Sequence, residues 1–473
     1  MVDGKVLAAR FAGAADFETR KVISGGNELE IFFLDGLTSG RDIADFIVRP
    51  LHEARQDERE ETLFTRAERG LVWCASMKKA SSTDEAAELL VNGFCVILFP
   101  KSGKALGCEV KTGEKRSPSA PEAENTVKGA KDAFTETLRT NTSLIRRHLR
   151  TPELRLEESV VGRRSLTKIT VCWVEGLTDP ELPKRMRTRL GEIDIDGLLS
   201  PAAVEEYVTG SRKTAFPLLE FTERTDHFCQ GLLDGQVGLL VDGLPIGYLA
   251  PVSFGRLMRS PEDRATDYLS ASMLRSLRYL ALGVSLLLPG IYAAMAMFHQ
   301  QMLPTKLLLS IIESKQDVPF STLFEVVGLL CAFELLQQAG LHLPQAIGTA
   351  VSIIGGLVVG TAAVDAKLVS PAALIVTASS GICGFTLPNR ELSDALRLWR
   401  LELTVLGGIF GLFGVTAGLL LLLVRLAGLE SLGRSYLAPF GEAEVKGALV
   451  RERLAEQKWR DGTLRPIDER NQR

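Results

Sequence analysis

Glu30-Ile31-Phe32-Phe33-Leu34-Asp35-Gly36-Leu37-Thr38 and Thr170-Val171-Cys172-Trp173-Val174-Glu175-Gly176-Leu177-Thr178 follow one pattern, written twice. Each is a short apolar, β-rich run stopped by an acidic residue and glycine, which is a strand followed by a turn. A second pair lies downstream. Leu90-Val91-Asn92-Gly93-Phe94-Cys95-Val96-Ile97-Leu98-Phe99 parallels Leu233-Asp234-Gly235-Gln236-Val237-Gly238-Leu239-Leu240-Val241. In both, a turn dipeptide, Asn-Gly or Asp-Gly, precedes a strand. The offsets are 140 residues (35 to 175) and 142 (92 to 234), and near-equal offsets support a duplication. Chance resemblance between common strand–turn patterns is the alternative. Helical patterns lie at 39–51 and 83–90 in the first copy, and at 180–190, 201–208 and 226–233 in the second. Strands alternating with helices imply α/β layers. A stretch rich in Lys, Gly, Ser, Pro and Glu, 101–129, reads as a mobile linker. The expected units are an α/β subdomain at 1–110, a linker at 111–135 and a related α/β subdomain at 136–270.

The chain changes character after that. Its 473 residues carry 55 basic and 58 acidic side chains, a balance that gives no whole-chain case for nucleic acid. Nearly all of that charge lies before Arg278 or after Arg425, so a purely soluble protein is excluded. Segments 279–298, 345–364, 368–389 and 403–424 contain no Asp, Glu, Lys or Arg. Each reaches the roughly 20 residues that a bilayer core demands. A fifth segment, 320–340, carries Glu325 and Glu334, and a carboxylate at that depth must face protein or water. It is a pore-facing span, an interfacial helix, or half of each. At ~100° per residue the two acids point to opposite helix faces. Glu334 shares its face with Cys331 and Gln338 and is the better candidate for a polar path.

If all five segments cross, Arg275 and Arg278, and later Arg390, Arg397 and Arg400, fall on the cytoplasmic side. Five crossings then put the tail outside, against Arg425, Arg434 and the charged 441–473. A re-entrant piece near 307–312 would restore parity. The expected organisation is an all-α polytopic membrane domain at 277–428 with about five spans, then a charged tail at 429–473. The N-terminus lacks an uninterrupted apolar run, so the first 270 residues are expected on the cytoplasmic side.

Glycine marks how the helices meet. Gly356 with Gly360, Gly407 with Gly411, and Gly414 with Gly418 form G-x-x-x-G pairs, which let backbones approach closely. The alternative is that membrane helices are simply glycine-rich. The expected pore wall is 352–364, with Gly356, Val359, Gly360, Thr361 and Ala362 lining it and Glu334 at one mouth. Small side chains let several copies surround a narrow axis, where Val and Ala gate by dewetting. The competing role for these residues is seating the helix against its neighbours.

The seven cysteines are scattered and never spaced as C-x-x-C, and the five histidines show no metal spacing. There is no G-x-x-x-x-G-K-[ST] and no nucleophile paired with a base, so neither enzyme nor cofactor is expected. Arg139, Arg146, Arg147, His148 and Arg150, then Arg163, Arg164, Lys168, Arg185, Arg187 and Arg189, form either a face for anionic membrane lipid or a solvated helix face.

A long ordered series of short motifs remains. It includes Arg139-Thr140-Asn141 with Leu144-Ile145-Arg146-Arg147, Gly162-Arg163-Arg164-Ser165, Ile193-Asp194-Ile195-Asp196-Gly197, Thr222-Glu223-Arg224 and Ser260-Pro261-Glu262-Asp263. Arg278-Tyr279-Leu280-Ala281, Val318-Pro319-Phe320, Phe333-Glu334, Val369-Ser370-Pro371 and Glu391-Leu392-Ser393 follow. From about Val127 to Phe440 this series resembles the A-subunit family of GerA-type spore germinant receptors. The resemblance implies a non-enzymatic subunit of the spore inner membrane, its N-terminal domain on the cytoplasmic (core) side. It implies a homo-oligomer forming a nutrient-gated channel for monovalent cations, with a transporter-like B subunit and a lipoprotein C subunit. The chain departs from the family at Leu330, where a second acid is expected, and at Gln337-Gln338, Gln301 and Leu401-Glu402. A paralogue of the SpoVA-operon type therefore stays open, as do a secondary transporter and a membrane-anchored scaffold.

Overall fold

The computed structural model describes residues 1–54, 58–111, 121, 124, 128–210, 214–342, 360–440, 449–453, 455–460 and 462–471. The first sheet is built from β1 (Phe17–Ser24), β2 (Asn27–Leu34), β3 (Met77–Ala80), β4 (Phe94–Phe99) and β5 (Lys104–Glu109), in the order β1-β2-β4-β5-β3. The second is built from β6 (Leu154–Val161), β7 (Thr167–Val174), β8 (Glu220–Thr222), β9 (Val237–Val241) and β10 (Gly247–Ala250), in the order β6-β7-β9-β10-β8. These are one topology used twice, with every described pair antiparallel. The soluble half is thus two related α/β subdomains.

The strands named from sequence, β2, β4, β7 and β9, lie next to one another within each sheet. β4 and β9 are buried along their whole length. Such continuous apolar runs follow from helices covering both faces. In the first subdomain, Val96 and Leu98 pack with Leu7 and Phe11 of α1 (Gly4–Arg10) and near it, and with Leu90 of α2 (Thr83–Val91). Cys95, Ile97 and Phe99 face Ile47, Leu51 and Leu63. In the second, Leu240 packs with Ile145 of α3 (Leu138–His148) and with a later helix residue, Phe228. Leu239 and Val241 face Met186 of α4 (Glu181–Gly191) and Val204 of α5 (Pro201–Thr209). Phe228 lies on α6 (Thr225–Leu233), the counterpart of α2.

Local chemistry sets the boundaries. Ser82 Oγ accepts from the Glu85 amide at 3.2 Å, and Glu85 Oε2 accepts from the Ser81 amide at 2.7 Å, a near capping box that starts α2. Gly93 and Gly235 take φ of 81° and 102° just past α2 and α6, which glycine tolerates without steric cost. The linker expectation needs correcting at one end. Residues 104–109 are β5, with Ala105, Leu106 and Cys108 buried, because alternating small and apolar residues there pair with β4 despite the flanking Lys and Gly. Most of 111–135 lies outside the described residues.

The subdomains are bolted together. Arg146 grips Asp16 with two hydrogen bonds, Nε at 2.8 Å and Nη2 at 2.9 Å, and the two residues are 1% and 2% exposed. The Ala15 amide donates to the Leu156 carbonyl at 2.8 Å. Arg146 is therefore no part of a solvated or lipid-facing basic stretch. Its neighbours are engaged as well: Arg139 with Asp35 and Glu158, Arg163 with Asp194, and Arg187 with Glu157.

The second half is helical: α7 (Tyr268–Met297), α8 (Thr305–Lys315), α9 (Thr322–His342), α10 (Pro371–Gly384) and α11 (Arg390–Ala427). Among the described residues α7, α9 and α11 are long and apolar enough to cross a membrane. The segment expected to span at 368–389 is instead a helix of 14 residues, started by the Ser370 cap and Pro371 and stopped after Gly384. Most of the 345–364 segment lies outside the described residues.

α11 is not one rod. Gly411 has φ 66° and ψ −151°, outside helical space. A Cβ on Gly418 would sit 2.5 Å from Leu403, and one on Gly414 would strike the Leu406 carbonyl. In a straight helix Leu403 and Gly418 would be ~22 Å apart, at about 1.5 Å per residue. The chain reverses at Gly411, and 412–427 runs back along 390–410. Leu422 and Leu426 accordingly share a core with Leu392, Leu396 and Leu403. The helix then delivers the tail to the soluble half. There Tyr436 packs with Phe216 and Phe254, the Ser431 hydroxyl donates to the Leu218 carbonyl at 2.6 Å, and Arg434 pairs with Asp179.

Candidate functional site

The apolar helices hold few ionisable groups, and Glu325 and Glu334 are each met by a partner on another element. Glu334 of α9 faces α11. Its carboxylate accepts from Arg397 Nη1 at 2.9 Å and lies 3.8 Å from Arg400 Nη2. Arg397 also reaches Asp394 at 3.1 Å. Arg400, only 4% exposed, lies with Nη1 3.5 Å from Ser380 Oγ on α10. Ser380 in turn donates to the Ser285 carbonyl of α7 at 2.7 Å. One polar thread therefore ties four helices together at the end of the bundle nearest the soluble half. A cavity of about 240 Å³ opens beside it, lined by Cys331, Glu334 and Gln338 from α9 and by Arg390, Arg397 and Arg400 from α11.

Glu325 lies on the opposite face of α9, as the helical period requires. Ser370 Oγ donates to it at 3.0 Å at the N-terminus of α10, and Lys315 Nζ is 3.9 Å away. Asp365 ends the short helix Gly360–Asp365 and Lys367 lies in the exposed turn after it, paired to Asp317.

Among the described residues, Gly360 and Glu334 of the expected pore lie apart. Gly360 is buried against Leu374, near the start of α10. Glu334 lies at the other end of that helix, where Ser380 and Gly384 are. Thr361 and Ala362 are exposed on the short helix Gly360–Asp365. Gly356 and Val359 lie outside the described residues. The last-span glycines are all buried, with separate tasks. A Cβ on Gly407 would meet the Gly290 carbonyl of α7 at 2.6 Å, Gly411 makes the reversal, and Gly414 and Gly418 seat the returning segment.

Three features went unread in the sequence. In the sequence Arg397 and Arg400 read only as topology signals, yet they are the partners of Glu334. Ser285 and Ser380 carry no sequence signal beyond being polar in apolar helices. Asp263 is the third. It is 2% exposed and sits where the soluble half meets α7. Arg278 donates to it at 2.7 Å and 2.9 Å, Arg275 lies at 3.3 Å, and Arg451 of the tail bonds its carbonyl. Burial alone would raise the Asp263 pKa, but the Arg278 hydrogen bonds and the two arginine charges hold it below the usual carboxylate value.

A duplicated α/β module fixed by buried ion pairs to a bundle of membrane-length helices defines a class of polytopic membrane protein with a folded domain at one face. The comparisons then give the family. The model described as Bacillus/Clostridium GerA spore germination protein matches residues 5–463, and the chain belongs to that family. It is similar to the uncharacterized membrane protein YfkQ of Bacillus subtilis (strain 168), 34% identical, over 89% of this chain and 82% of that one. Spore germination protein KA of the same strain is 34% identical, over 89% and 78%. Spore germination protein GerLA of Bacillus cereus is 30% identical, over 95% and 94%. A crystal structure of the N-terminal domain of the A subunit of the Bacillus megaterium spore germinant receptor GerK3 aligns with a TM-score of 0.41 at 25% identity, over 53% of this chain and 93% of that one. Membership in this family places the chain in spore germination.

Proposed function

We propose that this chain is the A-type subunit of a nutrient germinant receptor, and that copies of it surround a gated path for monovalent cations in the spore inner membrane. Partner subunits of the transporter-like B and lipoprotein C kinds complete the receptor. The observation that carries the proposal is the Glu334–Arg397–Arg400 cluster. An ion pair between two membrane helices is costly to keep there and has two states, closed and parted. A small shift of α9 against α11 exchanges one for the other. The soluble module is joined to α7 through Asp263, so a signal received there has a rigid route to the bundle. The pore wall is proposed at 352–364, with Thr361 and Ala362 on its described part. An even number of crossings is also proposed, because the tail returns to the soluble half.

Ion flux through liposomes holding the complete receptor tests this. Glu334→Gln should raise basal leak by weakening the hold on both arginines. Ala362→Ser and Val359→Ala should change gated flux. Assembled receptors whose leak and gated flux match the unsubstituted protein in all three variants would sink the channel reading.

A further inference from the structure

The cavity beside Glu334 carries more positive charge than its own acids balance. Arg390, Arg397 and Arg400 line it, against only Glu334 and Asp394. The three arginines are 7 and 10 residues apart along α11. At ~100° per residue they fall within about 80° of one another on one helix face. Their bonding is unequal. Arg397 takes the close contacts, 2.9 Å to Glu334 and 3.1 Å to Asp394. Arg400 is the more deeply buried and has the looser ones, 3.8 Å to Glu334 and 3.5 Å to Ser380. A guanidinium is a rigid fork of five donors that matches a bidentate oxyanion, the partner that best satisfies it when buried. Arg390 stands exposed at the mouth. The floor of the cavity is apolar, with the buried Leu330 and the half-buried Leu401.

We propose that this cavity binds a phosphate group, held by Arg400 from within and Arg390 at the rim. Two sources share that chemistry, an anionic phospholipid headgroup and free inorganic phosphate. The placement suits a lipid. The cavity opens at the end of the bundle nearest the soluble half, and Leu398, 56% exposed, and the apolar floor continue from it along the helices as a seat for an acyl chain. Basic pockets between membrane helices at that level are where headgroups bind. A bound phosphate also satisfies Arg400 without drawing on Glu334, so its presence weights the two states of the ion pair. The binding claim itself does not depend on the chain conducting ions.

Native mass spectrometry of the full chain in detergent is the experiment, with phosphatidylglycerol and phosphatidylcholine offered in separate titrations and inorganic phosphate as competitor. The unsubstituted protein should retain phosphatidylglycerol in preference to phosphatidylcholine. Arg400→Gln should weaken retention about tenfold, the factor that ~1.4 kcal/mol represents, and Arg390→Gln should weaken it as well. Arg390 is exposed, so its substitution leaves the fold intact and keeps the test decisive if Arg400→Gln fails to fold. Arg425→Gln, on the returning segment, should change nothing. If inorganic phosphate alone raises the melting temperature of the unsubstituted protein but not of Arg390→Gln, the same site takes the free ion. Equal retention of the two lipids with no phosphate effect, or retention unchanged by both cavity substitutions, overturns the proposal.

Discussion

The Asp16–Arg146 pair shows what a single buried charge contact decides here. Neither residue is solvated, so removing one leaves the other uncompensated. Asp16→Asn should cost about 3–5 kcal/mol, the range for breaking a buried pair. Denaturant unfolding of the full chain in detergent, followed through the soluble half, checks this, and adding Arg146→Met should recover most of the loss. Glu220 gives a pH dependence. Burial would raise its pKa, but the His227 ring at 2.8 Å and the Arg256 guanidinium at 3.1 Å overcome that and hold it at about 2. The folded state thus binds this proton less readily than the unfolded one. The contribution is full above the ordinary Glu value of ~4.3 and drains away as pH falls from there towards 2. Melting temperature measured downward from pH ~5 should fall less steeply in Glu220→Gln than in the unsubstituted protein. Sequence could place Glu334 beside Cys331 and Gln338, because a helical period fixes a face. It could not see that Arg146 leaves its basic neighbours, because Asp16 is 130 residues away.

At the scale of elements, the duplication was legible because β2, β4, β7 and β9 are fully or largely buried and write their environment as apolar runs. The edge strands β3 and β8 were not. They run to 4 and 3 residues, too short to carry a periodic pattern above their loops. β5 was hidden by lysine and glycine, and at Gly107 a Cβ would press on the Leu89 side chain at 2.7 Å. The small-residue spacing of α11 reads as close packing of neighbouring helices, but nothing in it marks a reversal. No proline or polar pair marks Gly411, and only its backbone angles distinguish it from Gly407. A Cβ at Gly411 would lie 2.7 Å from His299 Cε1, at a φ that side chains rarely adopt. Gly411→Ala should therefore lower folded yield and melting temperature. Gly283→Ala, on α7 with nothing within 4 Å of its Cβ position, should be neutral. Equal behaviour of the two variants would show that the turn needs no glycine.

Across the whole molecule, the tail decides how the halves relate. Composition alone gives about five spans and leaves the side of the tail open, because 403–424 looks like a single crossing. The reversal at Gly411 turns that segment into an out-and-back hairpin, and packing then carries Leu429–Phe440 onto the second subdomain. Farther along, the Ile467 amide donates to the Leu177 carbonyl at 2.8 Å, and Arg460 Nε to the Leu233 carbonyl at 2.9 Å. The tail thus closes a loop from second subdomain to bundle and back, with Asp263 joining the soluble half, α7 and Arg451. The arrangement to be tested puts Lys5 and Glu456 on one face of the membrane and the Phe298–Met302 turn, beside Gly411, on the other. Cysteines introduced singly at the exposed positions Lys5, Glu456 and Gln301 make this measurable in sealed vesicles with a membrane-impermeant maleimide. Among the native cysteines Cys95, Cys108, Cys172 and Cys229 are buried, whereas Cys331 is exposed and Cys74 and Cys383 are half-buried, so these three are first replaced by serine. Lys5→Cys and Glu456→Cys should label together, and Gln301→Cys only from the opposite face. Labelling of Glu456→Cys with Gln301→Cys would mean that the tail leaves the soluble half in the membrane. The coupling through Asp263 would then lose its third arm.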